Sequence, residues 1–402
     1  MPRFGPGLLV TAAFIGPGTL TTASVAGAGF GYALGWTILF SVGATLVLQE
    51  MAARLGLVTG RGLAETLRRA YRRRATGLAM GGLVIAAIAL GNAAYETGNI
   101  TGAALGLAAL APGTPATWSL VVGAAAAALL ATGTYRVVEA VLGTLVGIMS
   151  AVFLATCWVV RPDWGALLRG LWTPALPGGG LLAVMALIGT TVVPYNLFLH
   201  ANAVAEKWRG VAVDRALAAC RWDSGLSIGL GGLITLAVMA TAAQAFYLKG
   251  VRIEGAAVMA RQLEPLLGPW AEVFFAAGLG AAGLTSAVTA PLAAAYATAG
   301  TLGWPRDLRD PRFRAVWLAI VVTGTLLAAA GTRPVAAILF AQAANGILLP
   351  LVAASLLWVM NRRDLLGRHR NGHAANLLGG AVVLTTAALG LTQLLRVLGL
   401  SP

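Results

Sequence analysis

Four residues in the first apolar stretch, Gly16, Pro17, Gly18 and Thr19, have the types and spacing to open a binding site inside a membrane. They interrupt a segment from Leu8 to Phe30 that is long enough to cross a bilayer. Pro17 has no N–H and blocks helix propagation, and the flanking glycines give the turn no side-chain guidance. A helix must break here. In hydrocarbon, a break is tolerated only where the freed backbone groups are buried in protein or line a cavity. A second candidate break lies at Pro194, with Thr190 and Thr191 just before it. Three further groups are out of place in an apolar segment. Gln342 is an amide in mid-membrane that needs partners, and Glu96 is a deep carboxylate, a functional candidate by default. His200, on the half-helix after Pro194, can carry a proton in an aqueous path. Plainer roles compete. The break residues can serve architecture alone, the threonines can cap freed backbone groups, and Glu96 and His200 can belong to a polar network within the bundle.

The elements that would hold these residues are membrane helices. The chain has 402 residues, 58% of them hydrophobic and 10% charged. Its mean hydropathy of +0.81 exceeds what a soluble core needs, so a polytopic, all-α integral membrane protein is expected. The net charge of +14 does not mark a nucleic-acid binder, because the cations sit in short gaps between apolar runs. The two cysteines imply no disulfide framework: Cys157 falls mid-span and Cys220 is expected in a short loop. No cleavable signal peptide is expected from the residues ahead of the first span.

Eleven spans are expected, at about 6–30 (broken), 34–56, 76–108, 117–134, 137–160, 179–205 (broken), 224–247, 268–301, 312–331, 334–359 and 374–399. The third and eighth are long enough to tilt or project. With the N-terminus inside, 21 of the 28 Lys and Arg residues fall on the inner side, which sets a cytoplasmic N-terminus. Small-residue runs such as Ala26-Gly27-Ala28-Gly29 and Gly278 to Gly283 should allow close helix packing. The breaks fall five spans apart. An odd number of spans per unit inverts the second unit relative to the first, as in inverted-repeat transporters with the site between two broken helices. Repeat one is then about 6–160, repeat two about 179–359, and the last span an addition, within one transmembrane domain over 1–402.

Several stretches together resemble the Nramp family of proton-coupled divalent-metal transporters. They are Gly5 to Val10, Gly16 to Thr19, Ala53 to Arg61, Pro162 to Gly165, Pro194 to His200, Ala281 to Ser286 and Gln342 to Pro350. The resemblance implies the LeuT fold, with broken helices one and six, and a secondary transporter in the cell's inner (plasma) membrane. It also shows departures. The family has Asp-Pro-Gly-Asn at the first break, where this chain has Gly16 and Thr19, and Met-Pro-His at the second, where it has Val193, Pro194 and Tyr195. The family alanine whose carbonyl helps bind metal aligns with Thr190, and the glutamine of span ten is kept as Gln342. Two proton-carrying acids of span three align with Asn92 and Tyr95, with Glu96 one position off, while His200 is retained.

The implied substrate site is thus Gly16, Gly18, Thr19, Thr190, Val193, Tyr195, Gln342 and Asn345. Any direct metal ligands would be Thr19, Thr190 and Gln342, and the implied proton or polar path is Asn92, Tyr95, Glu96 and His200. Carboxylates supply most of the charge compensation in Mn²⁺ sites, and a thioether favours softer metals. With both absent, tight dehydrated Mn²⁺ or Fe²⁺ binding should be lost, whereas Mg²⁺ can be passed weakly inside its own water shell. Two other classes remain open: a transporter of a neutral, zwitterionic or anionic solute, and a non-transporting membrane sensor. No nucleophile–base pair, phosphate loop or cofactor motif is present, so no enzyme is expected. The expected partners are a small ion or solute and the bilayer, and a monomer is consistent with the sequence.

Overall fold

The computed structural model describes residues 6–7, 11, 15–71, 75–132, 136–305, 307–331 and 333–400. All regular elements among these residues are helical. Lipid offers no hydrogen bonds, so each crossing segment satisfies its own backbone as a helix. Among the described residues, nine helical stretches are long and apolar enough to cross a bilayer, matching spans two and four to eleven of the expected set. Spans one and three appear as Pro17–Phe30 and Ala75–Leu110, each adjoining residues outside the description. Most of the first half of span one also lies outside it, as do Arg72 to Arg74, Arg306 and the side chain of Glu139.

One boundary needs correction. Span seven starts at Val213, not 224, and runs to Phe246. Cys220 is therefore on a helix and buried, not in a loop. Hydropathy falls at the bilayer edge, but the helix continues because Cys220 packs with Ala53 and Val204. Its charged neighbours Asp214, Arg215 and Arg221 sit on the exposed side. Short helices at Leu63–Tyr71 and Trp164–Trp172 were not expected from hydropathy; Asp163 caps the latter by accepting from the Ala166 N–H at 2.9 Å.

The helices form two packed groups. Spans one, two, six and seven pack on one another, and so do spans three, four, eight and nine. Span ten touches both groups, and span eleven lies against it at the periphery. Of the most apolar stretch of span six 94% is buried, against 22% for span eleven, which puts the second break at the centre. Glycines let the helices close. A Cβ at Gly27 would overlap the Met239 carbonyl of span seven, and one at Gly189 would overlap the Gln342 carbonyl of span ten. Near the C-terminal end of span two Glu50 bridges Arg54 at 3.0 Å and Arg221 at 2.7 Å. Arg54 also donates to Asn371 Oδ1 at 2.8 Å and to the His369 carbonyl at 2.9 Å. Span two is thereby tied to span seven and to the loop before span eleven.

Gly27 and Gly29 give an internal comparison, because they share one helix but only Gly27 faces a neighbour, with nothing within 4 Å of a Cβ at Gly29. Gly27→Ala should cost about 1–3 kcal/mol through overpacking. Gly29→Ala should leave thermal stability in detergent unchanged or slightly raised, and equal effects at the two positions would contradict this packing.

Candidate functional site at the two helix breaks

At the first break Gly16 is extended (φ −128°, ψ −172°), and Pro17 opens the new helix. The Leu20 N–H bonds to the Gly16 carbonyl at 3.1 Å, so helical bonding resumes at once. At the second break the helix Leu181–Thr191 ends as Val192 turns to φ −98°, ψ 67°. Val193 is extended, and Pro194 starts the helix Pro194–Lys207. Proline at the first helical position costs no intrahelical bond, which is why both restarts fall on it.

The two breaks touch. Thr19 Oγ1 and Thr190 Oγ1 are 2.9 Å apart, and both residues are buried. Span ten closes the site from a third side. The Gln342 carboxamide lies against Gly18, where a Cβ would overlap it, and also against Gly98 of span three. Gln342 is fully buried, and neither its Nε2 nor its Oε1 has a hydrogen-bond partner. One turn on, Asn345 Nδ2 is likewise unpartnered, and its Oδ1 faces Gly91. A buried amide left unsatisfied costs about 1–3 kcal/mol per group, so these atoms have hydrogen-bonding capacity to spare.

The other expected residues separate into walls and more distant groups. Val193, Tyr95 and Tyr195 belong to an apolar cluster with Ile15. The two tyrosine rings meet edge to face, with centroids 5.5 Å apart, and Tyr195 Oη is unpartnered. Asn92 Nδ2 bonds back to the Ile88 carbonyl at 2.8 Å and leaves Oδ1 unpartnered. Glu96 is fully buried but is turned toward span nine, with its side chain where a Cβ on Gly324 would fall. Its Oε2 accepts from Asn99 Nδ2 at 3.4 Å, and its Oε1 has no partner. The structure therefore brings Tyr95, not Glu96, to the second break. His200 Nδ1 is 2.9 Å from Gln49 Oε1 on span two. An amide oxygen only accepts, so Nδ1 donates, and Nε2 is left buried and unpartnered.

Three residues at or near the site carried no role in the sequence reading. A side chain at position 16 would point at Ser286 Oγ of span eight, 3.0 Å from the Cβ. Ser286 stood in a recognised stretch, but only the crossing of spans one and eight shows that it faces Gly16. Asn196 follows Tyr195, is buried, and has both amide atoms unpartnered. Gln49 was legible only as a polar residue in an apolar span. No carboxylate or thioether stands among the site residues, and no group of three His, Cys, Asp or Glu side chains suited to a metal occurs among the described residues. The arrangement offers amide, hydroxyl and backbone groups in an enclosed, uncharged setting.

Comparison with known proteins gives a consistent result. The family model described as natural resistance-associated macrophage protein-like, Nramp, matches residues 7–396. The divalent metal cation transporter MntH of Acidiphilium cryptum is 29% identical over 99% of this chain and 91% of its own length. The MntH of Deinococcus radiodurans is 30% identical, again over 99% of this chain and 91% of its own. The manganese transporter of Eremococcus coleocola superposes with a TM-score of 0.78 at 22% identity, over 96% of this chain and 85% of that one. The last likeness shows the fold, which is the LeuT arrangement implied by the sequence resemblance. A match along nearly its whole length places the chain in the Nramp family.

Proposed function

We propose that this protein is a secondary transporter in the plasma membrane that passes a hydrated divalent cation, of the Mg²⁺ type, by alternating access. The observation that carries the reading is the uncharged, unpartnered set at the breaks, Gln342 and Asn345 above all. A bare divalent ion needs charge compensation that these groups do not supply. Mg²⁺ gives up water reluctantly, and amide and hydroxyl groups can hold it through that shell. Its relatives' names support cation transport. The departure at Gly16 and Val193 argues for weaker selection of Mn²⁺ and Fe²⁺.

The packing suits the motion. Spans one, two, six and seven form one body, and spans three, four, eight and nine the other. The repeats 6–160 and 179–359 would supply matching halves of each body. Rocking one body against the other carries both breaks past Gln342, which touches Gly18 in the first and Gly98 in the second. The pairs joining Glu50 with Arg54 and Arg221 lie at the inner end, taken as cytoplasmic, where such rocking opens or shuts a path. His200 and Gln49 form a titratable hydrogen-bonded pair between spans six and two, and supply a polar step beside the site.

Proteoliposomes with Mg²⁺ or Mn²⁺ outside and an indicator inside test the reading. Saturable Mg²⁺ uptake without preference for Mn²⁺ is expected, and tight, selective Mn²⁺ uptake would overturn it. Gln342→Leu separates structure from transport. Removing both unpartnered amide atoms should leave thermal stability equal or higher. Uptake should nevertheless fall at least about tenfold, one lost polar contact's worth. Unchanged uptake would remove Gln342 from the cargo path.

A further inference from the structure

We propose that the groove between spans two and eleven is a binding site for one anionic phospholipid, with an acyl chain seated along the groove and the headgroup held at Arg169. The site is independent of what the protein carries across the membrane.

Both walls of the groove are membrane spans, so it opens on the bilayer and not on water. Span two lines it with Phe40, Gly43 and Val47, and span eleven with Leu378, Ala381 and Val382. Residues three and four apart share one face of a helix, so each wall is a continuous apolar stripe. The stripes leave a gap because small residues stand on them: nothing lies within 4 Å of a Cβ on Gly43. The floor is enclosed, with Ala44 only 2% and Val382 only 5% exposed. The groove, of about 560 Å³, is therefore a recess and not a flat stretch of lipid-facing surface. Its length fits one acyl chain. From Trp36 to Val47 span two rises by about 16 Å, close to half of a hydrocarbon core about 30 Å thick. A helix of a second copy would need a seam across the whole core, whereas an acyl chain needs one leaflet.

The mouth carries the groups that meet a headgroup. Trp36 and Trp172 line the groove at this end, and the Trp36 indole N–H donates to the Ala175 carbonyl at 2.9 Å. Tryptophan gathers where the bilayer meets water, at the level of the headgroups. The short helix Trp164–Trp172 exposes Trp164, Leu168 and Trp172 one turn apart and buries Leu167. An apolar stripe of this kind lets a helix lie in the plane of the interface. Arg169 is three residues before Trp172 and so its neighbour on the helix surface. It is exposed and makes no ion pair among the described residues. Asp163, the acid at this helix, is engaged at the opposite end as the cap on the Ala166 N–H. A free cation beside the mouth of a one-leaflet recess complements a lipid phosphate, and an anionic headgroup more than a zwitterionic one.

The test uses the purified full-length protein, washed of lipid in detergent and then given phosphatidylglycerol or phosphatidylcholine with the same acyl chains. Native mass spectrometry counts the lipid retained, and thermal unfolding reads its effect. One retained phosphatidylglycerol and a saturable rise in melting temperature are expected. Gly43→Phe should abolish both and leave the lipid-free melting temperature unchanged, because its ring enters the recess from a position where a Cβ meets nothing within 4 Å. If that variant does not fold, Ala381→Phe on the facing wall takes its place. Arg169→Gln should keep chain binding but lower the preference for phosphatidylglycerol by about fivefold, the worth of one cation facing an anionic headgroup. No retained lipid in the native protein, or retention unchanged in Gly43→Phe, would overturn the site. An undiminished preference in Arg169→Gln would overturn the headgroup assignment and with it the proposal as stated. A lipid-free dimer that Gly43→Phe dissolves would give the groove to a second copy instead. None of these readouts involves Mg²⁺ uptake, so failure of the cation reading leaves the lipid site standing, and the reverse holds too.

Discussion

A helix that opens inside hydrocarbon frees N–H and C=O groups that lipid cannot meet, and the molecule is arranged around that requirement. Two openings face each other at its centre, joined by Thr19 and Thr190. Span six, which carries one of them, is the most enclosed of the crossing helices described. Spans three, eight and ten complete the enclosure, and they come close because glycines remove the atoms that would keep them apart. Gly18, Gly98, Gly102 and Gly189 all stand where a Cβ would strike Gln342 or Pro17. The small residues are thus the means by which the breaks are covered by protein instead of lipid.

Enclosure without charge sets the chemistry. Both openings present dipoles, hydroxyls and amides, while the carboxylate and the imidazole stand apart. Glu96 faces span nine, and His200 is held on Gln49. A divalent ion stripped of water has no counter-charge here, whereas an ion that keeps its water does not require a fixed one. On the reading proposed above, a cargo that keeps its water shell is what such an uncharged centre would suit.

Much of this was legible in the residues. Pro17 and Pro194 in mid-span announce both breaks, since no other residue type ends a helix so reliably in an apolar run. Gln342 announces itself as an amide with nowhere else to go. Helix rotation was not legible. Tyr95 and Glu96 are neighbours in sequence, and only the approach of Gly324 shows which of them faces span nine. Ser286 could not be placed opposite Gly16 either, because span eight carries no periodic polar face and its orientation comes from packing on span three. The N-terminal end of span seven was missed for a different reason: hydropathy reports the bilayer edge, and this helix runs past it to Val213.

The central claim is that cargo selection follows from the absence of a charged or thioether side chain at the breaks. Calorimetric titration of Mn²⁺ into the purified native protein and into the Gly16→Asp, Val193→Met double variant tests it most directly. The space beyond Gly16 accepts a side chain if the Ser286 hydroxyl shifts slightly, so the variant is compatible with the fold. Weak Mn²⁺ binding by the native protein and at least about tenfold tighter binding by the variant is the predicted result, equivalent to about 1.4 kcal/mol. Equal affinities in two folded proteins would contradict the placement of the cargo at these breaks.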